Sequence, residues 1–190
     1  MTISSRTILL VILLALLLRG YEWISHDHRM PLTPLTLADP VGPFTTRKIG
    51  ALADDTPQCH GLLEAASIGY SALPPVSAGP NCGYANGVTL TRDQPRSIAY
   101  SPAAKTSCPM AASLMLWENQ IVKSAAREHL GTTVAQIITY GSYSCRRIGG
   151  GESGNFSEHA TANAIAIAAF RQGGARRRLR YLRDHPVTGL

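Results

Sequence analysis

The sequence predicts an α+β fold. An antiparallel sheet packs on two or three helices, is stapled by disulfides, and follows an N-terminal membrane helix. Three observations carry this. Beyond residue 45, helical and strand-like apolar spacings both occur, interrupted by Pro- and Gly-rich loops. The four cysteines, Cys59, Cys82, Cys108 and Cys145, all lie beyond the apolar N-terminal run. A content of 45% hydrophobic and 16% charged residues excludes global disorder and suits one folded domain with an appendage.

Residues 1–25 read as a signal anchor. Arg6 precedes the unbroken apolar run ILLVILLALLL, and Tyr21 and Trp23 suit a membrane interface. Nothing after the run resembles a small-residue cleavage site, so an uncleaved helix over residues 7–24 is expected, with a cleaved signal peptide as the runner-up. Arg6 ahead of the helix places the N-terminus in the cytoplasm. The expected location is therefore the inner membrane, crossed once, with the domain facing the periplasm. Residues 26–44 carry four prolines and no apolar periodicity, which predicts an extended tether. His26 and His28 within it have the look of a metal pair but no fixed geometry.

The folded domain is expected over residues 45–190. Thr56-Pro57 marks a helix start, with Cys59, Leu62, Leu63 and Ala66 on one face and Gly69 as its cap. Residues 70–80 read as a loop, residues 88–90 as a short strand, and Ile98 as the centre of another. Cys108-Pro109 opens a long helix whose apolar stripe is Met110, Leu114, Trp117 and Ile121, widened by Val122 and Ala125 and closed by Gly131. Residues 134–140 are β-branched and aromatic enough for a strand, and residues 163–169 read as a buried one.

The net charge of +6 is uneven, with Arg171, Arg176, Arg177, Arg178, Arg180 and Arg183 near the C-terminus. Such a cluster suits anionic lipid or an acidic wall polymer. There are three Phe and no aromatic-interleaved basic patch, so nucleic acid is not an expected partner.

An even cysteine count in an exported chain predicts two disulfides. The preferred pairing is Cys59–Cys82 with Cys108–Cys145, each joining a helix start to a nearby loop or strand end. Long spacings and the absence of C-x-x-C argue against zinc held by these cysteines. A nucleophilic Cys145 is chemically conceivable beside Arg146, but an oxidising compartment argues against it.

Residues 139–170 hold the densest chemistry: Cys145, Arg146, Arg147, a Gly-rich turn, then Ser157-Glu158-His159. Arg146 and Ser157 are the candidate substrate-binding residues, the planar guanidinium of Arg146 being suited to a carboxylate. His159 is the candidate metal ligand.

Several linked motifs carry a resemblance: residues 141–147 (GSYSCRR), 157–165 (SEHATANAI), 106–109 (TSCP), Leu73-Pro74-Pro75 and Cys82-Gly83. Together they resemble the extensin-like C-terminal domain of bacteria. That family is similar, through S-x-H-x-x-x-x-A-x-D, to the D-alanyl-D-alanine carboxypeptidase and hedgehog-type zinc peptidase fold. The resemblance implies zinc as the cofactor and His159 as its first ligand. The implied carboxylate ligand falls on Ala166, which offers no donor. The family's closing histidine-rich element does not appear before Leu190, so the expectation is a C-terminally truncated domain with at most one zinc ligand. His185 is the remaining substitute for the missing ligands.

The resulting functional expectation is a membrane-anchored envelope protein that binds peptidoglycan or another wall polymer, with a degenerate peptidase-like site. The alternatives are a zinc-dependent peptidoglycan peptidase or amidase, and a structural or assembly protein of the envelope.

Overall fold

The computed structural model describes residues 4–26, 30, 33–91 and 98–173. Arg176, Arg177, Arg178, Arg180, Arg183, the strand expected around residues 178–182, His28 and His185 lie outside them. So do the side chains of Trp23 and His26.

The first helix, α1 (Ser5–His26), covers the expected anchor. Its apolar side chains face outward on every side, Ile8 to Leu18 among them. Among the described residues, however, no helix is long and apolar enough to cross a membrane. The cause is visible in the sequence: the apolar run ends at Arg19-Gly20, with Glu22 close behind, well short of the ~20 apolar residues a span needs. The expected membrane helix is present as a helix but not supported as a span.

Within the segment read as a tether, Thr33 and Leu37 are buried. Leu37 joins the main core, and Gln120 clasps the backbone on both sides of Pro40, donating to the Asp39 carbonyl (2.6 Å) and accepting from the Val41 N–H (2.9 Å). Two helices follow, α2 (Thr45–Ala51) and α3 (Thr56–Ala65). The cap of α3 is Asp55, whose carboxylate accepts from the Gln58 N–H at 2.9 Å, rather than Thr56. An Asp side chain bonds the free first-turn amides directly, which makes it the stronger claimant. The helix ends before Gly69, at Ala66 and a left-handed Ser67.

Among the described residues the strands form three small sheets, not one antiparallel sheet. β1 (Tyr70–Ala72), β4 (Gly87–Leu90) and β6 (Lys105–Ser107) make an antiparallel sheet in the order β1-β4-β6. β2 (Val76–Ser77) and β3 (Gly83–Tyr84) form a hairpin of their own. β5 (Ala99–Ser101), β7 (Val134–Gly141) and β8 (Ala166–Gln172) form the third, with β5 parallel and β8 antiparallel to β7. Residues 70–80, read as a loop, thus contain two strands, too short to show an alternation. Gly83 is forced by geometry: its φ is +133°, and a Cβ there would lie 2.1 Å from the Val76 carbonyl oxygen.

The long helix begins where expected but is not uniform. α4 (Cys108–Trp117) passes into a π-helical turn (Glu118–Val122) and then α5 (Lys123–Leu130), closed by left-handed Gly131. The π turn advances the register. Ile121, expected inside, is 57% exposed; Val122 is buried as expected, and Ala126 is buried in place of the expected Ala125. A residue inserted into the helical repeat rotates everything beyond it.

The disulfides join Cys59 to Cys108 and Cys82 to Cys145, which corrects the expected pairing. Cys59 and Cys108 both sit in the first turns of helices, α3 and α4, that pack on each other with their sulfur-bearing faces inward. Short sequence separation was a poor guide because helix packing brings residues 49 positions apart to a Cα–Cα distance of 6.1 Å.

The main core is built from Leu37, Leu52, Leu63, Val88, Ala111, Leu114, Leu116 and their neighbours. A second cluster, Ile98, Val122 and Ile137, lies under the β5-β7-β8 sheet. Tyr100 and Trp117 touch both clusters. At this junction Glu118 is 2% exposed and accepts a short hydrogen bond from the Tyr100 hydroxyl. Burial pushes the Glu118 carboxyl up from the ordinary 4.5 to about 7, against the opposing pull of the Tyr100 hydrogen bond and the Lys123 charge. Burial likewise raises Tyr100, which stays protonated.

Candidate functional site

The site is assembled where β7 ends. Gly141, with φ +100°, turns the chain out of the sheet, and residues 142–147 run alongside residues 156–161. Ser144 N–H donates to the His159 carbonyl (2.8 Å) and Ser157 N–H to the Arg146 carbonyl (3.0 Å). The second strip contains a 3-10 turn (Glu158–Thr161) capped by Ser157, whose hydroxyl accepts from the His159 N–H at 3.3 Å.

A buried polar hub fixes this turn. Ala162 is left-handed (φ 57°), and its carbonyl receives the Thr106 hydroxyl (2.7 Å) and the Ser107 N–H (3.0 Å). The Ser142 hydroxyl lies 3.2 Å from the same oxygen and 2.5 Å from the Ala164 carbonyl, so its one proton is shared between them. Ser107 Oγ donates to Asn163 Oδ1 (2.6 Å) and also caps α4 by accepting from the Met110 N–H. Two stretches, 106–109 and 157–165, whose bonded side chains reach residues 56 positions away, are therefore one hydrogen-bonded unit. Thr106, Ser107, Ser142 and Asn163 fall within the motifs that carry the resemblance but were not singled out as site-building residues; small polar side chains carry no periodic signal, and Thr106, Ser107 and Ser142 are marked by their burial.

The hub aims His159. Its Nδ1 lies 2.5 Å from the Ser142 carbonyl oxygen. A carbonyl only accepts, so Nδ1 carries the proton and the lone pair of the neutral ring is on Nε2. Metal-binding histidines are oriented by this kind of backbone contact. The rest of a zinc site does not follow. Position 166 faces Gly141 across the β7–β8 pair, and Ala166 presents only a methyl. All four cysteines are consumed in disulfides. Among the described residues no group of three His, Cys, Asp or Glu side chains is placed to hold a metal. One imidazole does not make a zinc site, and the described residues do not fit the ion.

Ser157 and Glu158 face a cleft of about 560 Å³. One wall is the β2–β3 hairpin, with Pro75, Asn81, Cys82 and Tyr84; the other is Phe156, Ser157, Glu158 and Thr161. His159, one residue further on, is not among the lining residues. Arg147 caps the second wall, its guanidinium 4.3 Å from the Phe156 ring centre and hydrogen-bonded to the Gly154 carbonyl. Tyr84 meets Tyr143 edge to face at 5.5 Å, and the Cys82–Cys145 bond ties the two walls together. Arg146 is exposed and follows Cys145 directly. The predicted residues Cys145, Arg146, Ser157 and His159 thus lie on two backbone-paired strips, but of these only Ser157 lines the cleft, while Ala166 lies at the start of β8. That strand begins three residues later than expected and is half-buried rather than buried, because Ala162 and Asn163 are held in the hub.

No curated protein and no solved structure matches the chain. The profile of the extensin-like protein C-terminus matches residues 57–184, and this stretch includes both clamped motifs, both disulfides and the cleft. The chain belongs to the extensin-like C-terminus family.

Proposed function

We propose that this is a cell-envelope domain that binds a wall polymer in the cleft between the β2–β3 hairpin and residues 156–161, and that it binds without cleaving. The observation that carries the reading is the cleft itself. Hydroxyl, amide and carboxylate groups from Ser157, Asn81 and Glu158 stand among aromatic and proline surfaces, the mixture suited to a neutral or zwitterionic polymer. Two disulfides support an oxidising compartment such as the periplasm. The exposed apolar sleeve of α1 supports attachment to the membrane, since a helix apolar on all sides seeks an apolar phase. Alkaline carbonate extraction of membranes tests the attachment, and release into the supernatant overturns it.

The binding test is co-sedimentation of the full chain with purified peptidoglycan at low and physiological salt. Retention is expected at both, and Glu158→Ala with Ser157→Ala should lower it about tenfold, as loss of two polar contacts would. Failure to sediment at low salt overturns the reading.

One observation favours a second reading, a zinc-dependent peptidase: the orientation of His159 by the Ser142 carbonyl. The missing carboxylate at Ala166 opposes it. Metal analysis of the purified chain decides between them. Neither the natural chain nor Ala166→Asp is expected to retain stoichiometric zinc after desalting, and retention by the natural chain would restore the peptidase reading.

A further inference from the structure

The two disulfides sit in opposite environments. Cys59 and Cys108 are both 0% exposed, inside the main core between α3 and α4. Cys82 lines the cleft and is nearly buried, while its partner Cys145 is exposed on the outer strip. Two consecutive arginines follow Cys145, and the side chain of Arg147 is already engaged with Phe156 and Gly154. Positive charge beside a sulfur draws an incoming thiolate and stabilises a departing one.

The bond also spans two separately built parts. Cys82 belongs to the β2–β3 hairpin, a sheet of two short strands not hydrogen-bonded into the other two. Cys145 is locked on both sides to the His159 turn, through Ser144 N–H to the His159 carbonyl and Ser157 N–H to the Arg146 carbonyl. Breaking the bond therefore removes the covalent tie between the two walls, leaving the Tyr84–Tyr143 contact and the core staple intact.

We infer that Cys82–Cys145 is a thiol–disulfide exchange site through which a dithiol reductant sets the opening of the cleft. A thiolate of the reductant attacks Cys145 Sγ. The Cys82–Cys145 bond breaks, a mixed disulfide forms on Cys145, and Cys82 leaves as a thiolate that takes a proton from water. The reductant's second thiolate then displaces Cys145, which is protonated in turn. The reductant ends as a disulfide, and two electrons have passed to the protein. The effect on wall binding rests on the cleft reading above; the exchange chemistry does not.

Graded dithiothreitol is applied to the folded full chain, followed by maleimide trapping and peptide mass mapping. Cys82 and Cys145 should become labelled together about a hundredfold faster than Cys59 and Cys108, whose reduction requires opening the core. Equal labelling of all four, or no labelling before denaturation, overturns the inference. Hydrogen exchange on the selectively reduced chain reads the consequence without any ligand. Residues 75–85 should exchange at least about tenfold faster while residues 108–116 are unchanged. The double variant Cys82→Ser, Cys145→Ser should reproduce that pattern. A hairpin as protected as in the oxidised chain overturns the clasp. Faster exchange with unchanged sedimentation on peptidoglycan would instead count against the cleft as the polymer site.

Discussion

Replacing Glu118 by glutamine should remove a defined part of the protein's pH dependence. Glu118 is buried at the π turn, takes the Tyr100 hydrogen bond, and has its carboxyl raised from 4.5 to about 7 by burial. The folded state therefore holds a proton that the unfolded chain gives up between those values. The sign follows. The stabilisation is fully present below about pH 4.5, declines as pH rises, and is gone above about pH 7. At about 1.4 kcal/mol per tenfold change in proton affinity, the whole window is worth about 3 kcal/mol. Glutamine keeps the carbonyl that accepts from Tyr100 and cannot ionise, so it mimics the protonated form throughout. Urea denaturation of both proteins, disulfides intact, at pH 4.5 and pH 8 gives the four stabilities needed. The natural chain should lose about 3 kcal/mol more than Glu118→Gln between the two pH values, so that the variant is the more stable protein at pH 8. Parallel pH profiles would show that Glu118 ionises in the folded state as it does in the unfolded one, and the account of the junction would fail.

Three further outcomes follow from the packing and the hub. Leu63→Ala, at a fully buried position in the main core, should cost about 2–5 kcal/mol in urea denaturation. Ser142→Ala removes the hydroxyl shared between the Ala162 and Ala164 carbonyls but keeps the backbone oxygen that orients His159. It should cost about 1–3 kcal/mol and speed hydrogen exchange across residues 157–163. Gly83→Ala forces a Cβ against the Val76 carbonyl. It should destabilise the hairpin by about 1–3 kcal/mol and reduce sedimentation with peptidoglycan, while the Tyr100 contact to Glu118 keeps its pH signature.

The parts of the fold written in long periodic patterns were legible in the sequence. The start of α4 at Cys108-Pro109, the end of α5 at Gly131, and β7 all fall where spacing and caps place them. Between those ends the stripe fails at Ile121, because one π turn changes which residues face inward, and no composition marks such a turn. The two-residue strands of the hairpin are below the length at which alternation has meaning. The cysteine pairing was missed for a related reason. Cys59 is nearer Cys82 in sequence, but α3 packs on α4, and that packing decides. At the site, Ser157, His159 and Arg146 were visible as reactive types. The cleft was not, since most of its lining comes from residues 75–85, which the fold and the Cys82–Cys145 bond bring beside residues 156–161.

The hold on Thr33 limits how far the first helix can lie from the domain. Ordered contact with the domain begins by Thr33, whose hydroxyl accepts from the Lys48 ammonium at 3.0 Å, and the first helix ends at His26. Seven residues, each spanning at most about 3.5 Å, allow a separation of about 25 Å. On the membrane attachment proposed above, the domain would work within one protein diameter of the lipid surface. On the wall binding proposed above, that reach would cover the innermost polymer layer and not the outer wall.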